Sequence, residues 1–276
     1  MAEELAVLLK KVMSLSVEER EALAHALLLS LGEAPGDREN AWTTDHRKKA
    51  LEGLKKSGRV GFMEASFRVA TGLPHMSQSD LVRSAERAAI HAFGWPIGVV
   101  LHNENRPMPM SDGIVAEISG VDFSYDYWAL RTNGDFFFLG SLFEDERAKG
   151  AIWFDTRIMR VTETFLFCYR LYKALGAAEE TVVTISLRHG GLRERSLSSA
   201  RPALWTANRV SHEDEVEWKK TTVLASLRTE LRENVRDVLN SLLILFDFFR
   251  PQDQQVYSIV SEFLAKIESQ QKPFEL

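Results

Sequence analysis

The chain has almost no cysteine. Cys168 is the single one in 276 residues, which excludes an intrachain disulfide framework and any zinc or iron–sulfur site built from several cysteines. Long apolar runs are missing as well. Ala26–Leu29 and Phe136–Leu139 fall far short of the ~20 residues that a membrane-spanning helix needs. Nor is there an excess of positive charge. Lys and Arg number 34 against 39 Asp and Glu, a net of −5, so no global field draws the chain to nucleic acid or to an anionic membrane. Glu3 and Glu4 have the wrong sign for the basic start of a secretory leader. The expectation is a cytoplasmic protein with no membrane partner.

Catalytic signatures are missing too. There is no Gly-x-x-x-x-Gly-Lys-Ser/Thr phosphate loop, no His-Glu-x-x-His helix and no Gly-x-Ser-x-Gly elbow. His189-Gly190-Gly191 has the composition of an oxyanion-hole stretch, but no nucleophile elbow accompanies it. Cys168 falls beside Phe165 and Tyr169 on an apolar helix face and reads as core filler rather than nucleophile. His25, His46, His75, His91, His102 and His212 are scattered without metal-ligand spacing. No motif asks for a cofactor or a metal, no reaction is disclosed, and the reading leans away from an enzyme.

What is present is a sequence of three segments. Residues 1–59 read as helices only. Ser16-Val17-Glu18-Glu19 is a capping box, and Leu23, Leu27 and Leu31 form one apolar stripe of the helix after it. A polar helix over about 39–56 carries Trp42 and the basic cluster Arg47-Lys48-Lys49, with Lys55 and Lys56 further on. Stripes this short pack on each other, on the next domain or on a partner chain. Residues 60–218 alternate strand and helix. Strands are expected over 60–69, 95–101, 113–119, 127–131, 136–143 and 181–187. Ser77 caps a helix running to about Phe93, and Asn133-Gly134 marks a hairpin. Ile158, Val161, Phe165, Tyr169 and Tyr172 mark a long buried helix closed by Leu175-Gly176. In residues 219–276, Val223, Leu227, Leu231, Val235, Val238 and Leu242 make one long helical stripe, and Pro251 starts a last helix. The fold class is α+β: a helical N-terminal arm, a central mixed or antiparallel sheet with packed helices, and a C-terminal helical hairpin docked on it.

Two resemblances follow from these residues. Ser14-Leu15-Ser16-Val17-Glu18-Glu19-Arg20, Leu23-Ala24, Leu27-Leu28, Ser30-Leu31, Ala41-Trp42 and Arg47 resemble the bacterial addiction-module component family, short antitoxin-like helical proteins encoded beside ribonuclease-type toxins. That resemblance implies a segment that binds a protein partner, a toxin among the options. Phe93-Gly94-Trp95-Pro96-Ile97, Tyr127-Trp128-Ala129-Leu130, Phe154-Asp155-Thr156-Arg157-Ile158, Arg188-His189-Gly190-Gly191-Leu192 and Leu245-Phe246-Asp247-Phe248-Phe249 are similar to the region downstream of the AlbA-type module in bacterial Schlafen-related DNA-binding proteins. The module itself, with its Glu-Phe-Lys and glycine-rich signatures, is missing here. The likeness implies a bacterial, defence- or toxin-linked setting.

Three constellations carry candidate sites. Residues 188–209 hold Arg188, Arg193, Arg195, Arg201 and Arg209 against Glu194 alone, with His189 and Trp205 among them. Arginines grip phosphates bidentately and a tryptophan stacks on a base, so the stretch is either an anion or nucleic-acid face or a set of paired surface arginines. Residues 112–146 are acidic, eight carboxylates against Arg131, and suit an intramolecular or intersubunit match to the arginines; a divalent-metal site is the weaker option, since the acids lack a Ca²⁺-loop spacing and alternate along predicted strands. Asp155, read as a helix cap, with Arg157, Arg160 and Glu163, joins Arg188 and His189 either in a ligand pocket or in a buried ion network. The leading expectation is a non-catalytic binding or regulatory protein. It uses Leu23, Leu27, Leu31 and Trp42 for a protein partner and Arg157, Arg160, Glu163, Arg188, His189, Arg193, Arg195 and Trp205 for nucleic acid or another ligand. The alternative is an enzyme or small-ligand sensor with an Arg/His/Glu pocket. A homo-oligomer fits either.

Overall fold

The computed structural model describes residues 11–13, 15–17, 19–20 and 36–271, apart from 71–72, 93, 122–123 and 202–208. The predicted stripe Leu23, Leu27 and Leu31, and Trp205, lie outside the described residues. The chain divides into two compact units, residues 1–45 and 46–276. In the first, the Ser16 capping box forms as the sequence reads: the Ser16 N–H donates to Glu19 Oε2 at 2.9 Å and the Glu19 N–H to Ser16 Oγ at 3.2 Å. Helix α1 spans Gly36–Lys56, and its residues from His46 onward belong to the second unit; Trp42 is half-buried.

The second unit is built on a seven-stranded sheet, every pair of which is antiparallel. In chain order the strands are β1 (Phe62–Val69), β2 (Met108–Met110), β3 (Gly113–Val121), β4 (Ser124–Arg131), β5 (Phe136–Ser141), β7 (Val182–Gly190) and β9 (Val216–Val223). Across the sheet they run β2-β3-β4-β5-β1-β7-β9. Two three-residue strands, β6 (Ala151–Trp153) and β8 (Ser196–Ser198), pair in parallel beside it. The helices are α2 (Gln78–Ala88), α3 (Glu144–Arg147), α4 (Phe154–Ala174), α5 (Ser226–Thr229), α6 (Leu231–Leu243) and α7 (Asp253–Gln271). The architecture is α+β.

Local signals explain most of these elements. Ser77 accepts from the Asp80 N–H and starts α2. Asn133-Gly134 makes the β4–β5 turn, with Gly134 at φ +94° and Asn133 Oδ1 accepting from the Asp135 N–H at 3.0 Å. Helix α4 is buried over most of its circumference: one side lies on the sheet, others against α2, α5, α6 and α7. At its centre Phe67, Phe136 and Phe167 stack in series, with ring centroids 5.1 Å apart for Phe67–Phe136 and for Phe136–Phe167. Trp218 of β9 meets Phe165 edge-on at 5.6 Å.

Two predicted elements are different in the structure. Residues 95–101 are not a strand but part of the connection between α2 and β2, which crosses α4 as an irregular strap. The Trp128 indole donates to the Val99 carbonyl at 2.9 Å and the Ile97 N–H to Glu163 at 3.0 Å, so buried side chains satisfy a backbone that no ladder serves. Val223 does not begin a helical stripe; it ends β9, whose burial alternates along the strand, and the helical stripe starts at Leu227. Phe248, expected in the core with Phe246 and Phe249, is 81% exposed.

Gly98 is where the strap touches α4. It sits at φ +63°, and a Cβ there would come within 2.5 Å of the Phe167 ring. Gly98→Ala is expected to cost about 2–4 kcal/mol, since it adds left-handed strain to an overpacked contact. A urea unfolding midpoint equal to that of the parent protein would refute this.

Candidate functional site

Strand geometry sorts the charged residues of the second unit onto two faces. Side chains alternate along a strand, so the adjacent Arg188 and His189 point to opposite sides of the sheet. His189 shares its row with Met63, Gly140, Asp126 and Ile118, under α4. Arg188 shares the opposite row with Glu64, Leu139, Tyr127 and Glu217.

Under α4, Arg157 and Glu144 form an ion pair with both side chains sealed from water, Nη2 to Oε2 3.1 Å. The other Glu144 oxygen accepts from the Trp153 N–H at 2.9 Å. Burial lowers the Arg157 pKa, with the Glu144 charge opposing it. Three residues on, Arg160 donates to the Trp95 carbonyl at 2.7 Å and to Glu163 Oε2 at 2.6 Å, and its guanidinium lies 4.5 Å over the Phe143 ring. Glu163 also accepts from Ile97; burial raises its pKa against the pull of Arg160. Asp155 does not cap α4. It lies inside the first turn and accepts from Ser199 Oγ at 3.1 Å and from the Ala200 N–H at 3.0 Å, tying the helix to the chain after β8. The Cys168 thiol is buried and burial pushes its pKa up, as filler would have it.

Two further polar groups lie on this face. Asp126 is buried, and burial lifts its pKa to about 7 although Arg160 opposes the rise. Its carboxylate leans over β5: a Cβ on Gly140 would fall 2.5 Å from Asp126 Oδ1, so no larger residue fits there. His189 is held neutral, its pKa pushed down to about 3 by burial and by the Arg157 charge. The Trp95 indole bonds the Asp126 carboxylate and opposes the rise of its pKa, whereas Arg157 Nε and His189 Nε2 lack a hydrogen-bond partner. Asp126 and His189 are three strands apart, roughly 14 Å at ~4.8 Å per strand. The two pairs, Trp95 with Asp126 and Arg157 with His189, are therefore separate and do not form one pocket.

On the opposite face Arg188 donates to Glu217 Oε2 at 2.9 Å and to Glu215 Oε2 at 3.3 Å, with Glu64 3.9 Å away. Arg47 of α1 bridges Glu64 at 2.8 Å and Glu215 at 2.8 Å. Two arginines and three glutamates thus pin α1 to β1, β7 and the chain before β9. Beside them His46 Nδ1 and Tyr127 Oη are hydrogen-bonded at 2.6 Å, and Tyr125 Oη donates to Glu117 at 3.1 Å. Between α1 and β2–β4 lies a groove of about 420 Å³ whose walls include Lys49, Lys56, Arg106, Met108, Met110 and Tyr127.

The structure therefore brings Arg157, Arg160, Glu163 and His189 together on one sealed face and places Arg188 across the sheet from them. Arg195 is buried and holds a loop, donating to the Gly191 and Ala151 carbonyls at 2.5 and 3.1 Å and pairing with Asp145. Arg201 pairs with Glu262 and Arg209 with Asp247. Arg193 is exposed. Of the acidic stretch, Asp145 meets the arginine stretch; Glu144, Glu146 and Asp112 pair with Arg157, Arg59 and Arg131 instead. Sequence reasoning missed Glu64 and Gly140 and counted Asp126 only as one acid of the 112–146 stretch. The signal was present: Asp126 has the parity of Trp128 and Leu130 in a strand, a charge on the apolar side.

Among the described residues, no group of three or more His, Cys, Asp or Glu side chains is arranged to hold a metal ion, and no helix is long and apolar enough to cross a membrane. Compared with known proteins, the chain matches no family model, no curated protein and no solved structure.

The two buried titrations act with opposite signs. Asp126 rises from 3.8 unfolded to about 7 folded, so its contribution is present at low pH and lost as pH climbs through 7. His189 falls from 6.5 to about 3, so the unfolded chain takes up a proton first and stability is lost as pH drops below 6.5. Asp126→Asn is expected to remove the first slope and unmask the second: stability that rises by a few kcal/mol between pH 4 and pH 6.5 and then stays flat. His189→Gln is expected to leave the Asp126 slope alone: stability that falls by a few kcal/mol between pH 4 and pH 7. Urea titrations at pH 4, 5, 6.5 and 8 check both, and parallel profiles for all three proteins would refute the assignment.

Proposed function

We propose that this chain is a non-catalytic binding or regulatory protein of a bacterial cytoplasm. It engages a protein partner through its N-terminal helical segment and an anionic partner, nucleic acid first among them, through surface cations. One observation carries the reading: of the ionisable groups best suited to chemistry, Arg157, Glu163 and His189 are buried on or beneath α4 and Arg160 is half-buried there, and the charged three are bonded to Glu144, to one another or to backbone. Groups committed in this way hold a fold rather than turn over a substrate. The resemblance of residues 12–59 to antitoxin-like proteins supports a partner arm and makes a toxin the partner class. Arg193, exposed in the arginine stretch, belongs to the anion-facing set.

A second reading rests on Arg157 Nε and His189 Nε2, which are buried without a partner. Such atoms are served by ordered water or by a small polar ligand, which is what a small-ligand sensor would have there.

Native mass spectrometry of the protein purified from the organism that encodes it separates the two. The binding reading expects a stoichiometric protein or nucleic-acid adduct, with nucleic acid visible in the ultraviolet absorbance. A bare chain that carries only a small molecule, lost in His189→Gln, would overturn it in favour of the sensor.

A further inference from the structure

Four cations without an ion-pair partner share one face of one helix. In α1, Lys48, Lys49, Glu52, Lys55 and Lys56 follow the i, i+1, i+4, i+7, i+8 pattern of a single helical face, and all five are exposed. The opposite side, Ala50, Gly53 and Leu54, is buried. Arg47 and Arg59 next to them are paired, to Glu64 with Glu215 and to Glu146. The four lysines have no carboxylate within ion-pair distance among the described residues. Arg106, exposed and equally unpaired, lines the same groove as Lys49 and Lys56, whose walls also hold Glu52, Glu104 and Glu117, so the net positive charge lies on the outer face of the helix rather than in the groove. In a chain of net charge −5 this is a concentrated local field.

Composition and spacing choose the occupant. Lysine is depleted from protein–protein interfaces, whereas protein–nucleic acid interfaces are strongly positive. The stripe offers no apolar side chain to enter a lipid surface or to seed a protein interface. The pairs Lys48/Lys49 and Lys55/Lys56 stand seven residues apart, about 10.5 Å along the helix axis. That is close to the roughly 12 Å width of a duplex major groove, whose two edges are phosphate strands. We infer that the exposed face of α1, flanked by Arg106, is a ridge that binds the phosphate backbone of a nucleic-acid duplex without reading its sequence. This rests on the binding-protein reading and narrows its anionic partner and its place. Glu52, in the middle of the ridge, weakens the contact by repelling phosphate.

Fluorescence anisotropy of a labelled mixed-sequence 24-base-pair duplex, titrated with the full-length chain at several NaCl concentrations, tests it. Four lysine–phosphate contacts predict a log–log salt slope of about −3.6, close to a 100-fold loss of affinity between 50 and 200 mM salt. K48E/K49E/K55E/K56E, and its milder all-Gln counterpart, are expected to lose most of that affinity and flatten the slope while keeping the circular dichroism of the parent. E52K is expected to tighten binding several-fold, and R193E to weaken it far less than either quadruple variant. Duplex binding that survives both quadruple variants but falls in R193E would overturn the ridge and leave the binding-protein reading standing. Equal displacement by polyglutamate at matched charge would overturn the nucleic-acid assignment. No duplex binding at 50 mM salt would overturn the ridge and the anionic partner together.

Discussion

A helix buried over most of its circumference is the constraint from which most of this structure follows. Helix α4 carries Asp155, Arg157, Arg160, Thr162, Glu163 and Thr164 into the interior, and burial of each without a partner would cost on the order of 1–3 kcal/mol, more for the charges. The surroundings are arranged around that demand. Glu144 comes from a short helix before β6 to meet Arg157. The strap lends the Trp95 carbonyl and the Ile97 N–H to Arg160 and Glu163. The two threonines turn back to carbonyls of their own helix, at 2.7 and 2.8 Å. The apolar remainder of α4, with Phe165 and Phe167 at its centre, faces the aromatic rows of the sheet. Buried ion pairs of this kind stabilise little beyond an apolar replacement, but removal of one partner is severe. They fix where α4 sits more than how tightly.

The opposite face follows a different logic. There the sheet is only partly covered, and the Arg47–Glu64–Arg188–Glu215–Glu217 network runs at the margin of solvent. Burial raises the Glu64 pKa while Arg47 and Arg188 hold it down. The network seats one side of α1 and leaves the other to water, so the same helix serves packing and display.

Which parts were legible in the sequence depends on whether the signal was local. The Ser77 cap, the Asn133-Gly134 turn and the 3.6-residue stripe of α4 are properties of a few neighbouring residues, and the structure has them where the pattern puts them. The strap at 95–101 is as apolar as a strand. What makes it irregular is the reach of Trp128, Arg160 and Glu163 from distant positions. Strand β9 hid because Lys219, Lys220, Thr221 and Thr222 follow Trp218 at a sheet edge, where alternation is weak, and because Val223 extends the helical spacing of Leu227 and Leu231 by accident. The candidate site suffered most. Arg188 and His189 look like one feature in a line of text, and a pleated strand separates them by the thickness of the sheet.

Strand order carries a consequence for how the chain is made. β1, which leaves the ribosome first, occupies an interior lane of the sheet, bordered by β5 on one side and by β7 on the other. The meander β2–β5 closes by short turns as it emerges, but the β7 side of β1 waits until residue 190 is out of the tunnel. During that interval a row of backbone donors and acceptors along β1 is open. Nascent chains with unpaired apolar strands are the species that chaperones hold and that aggregate when translation outpaces closure. For this fold the vulnerable moment comes late in synthesis, and it ends when one long-range pairing is made.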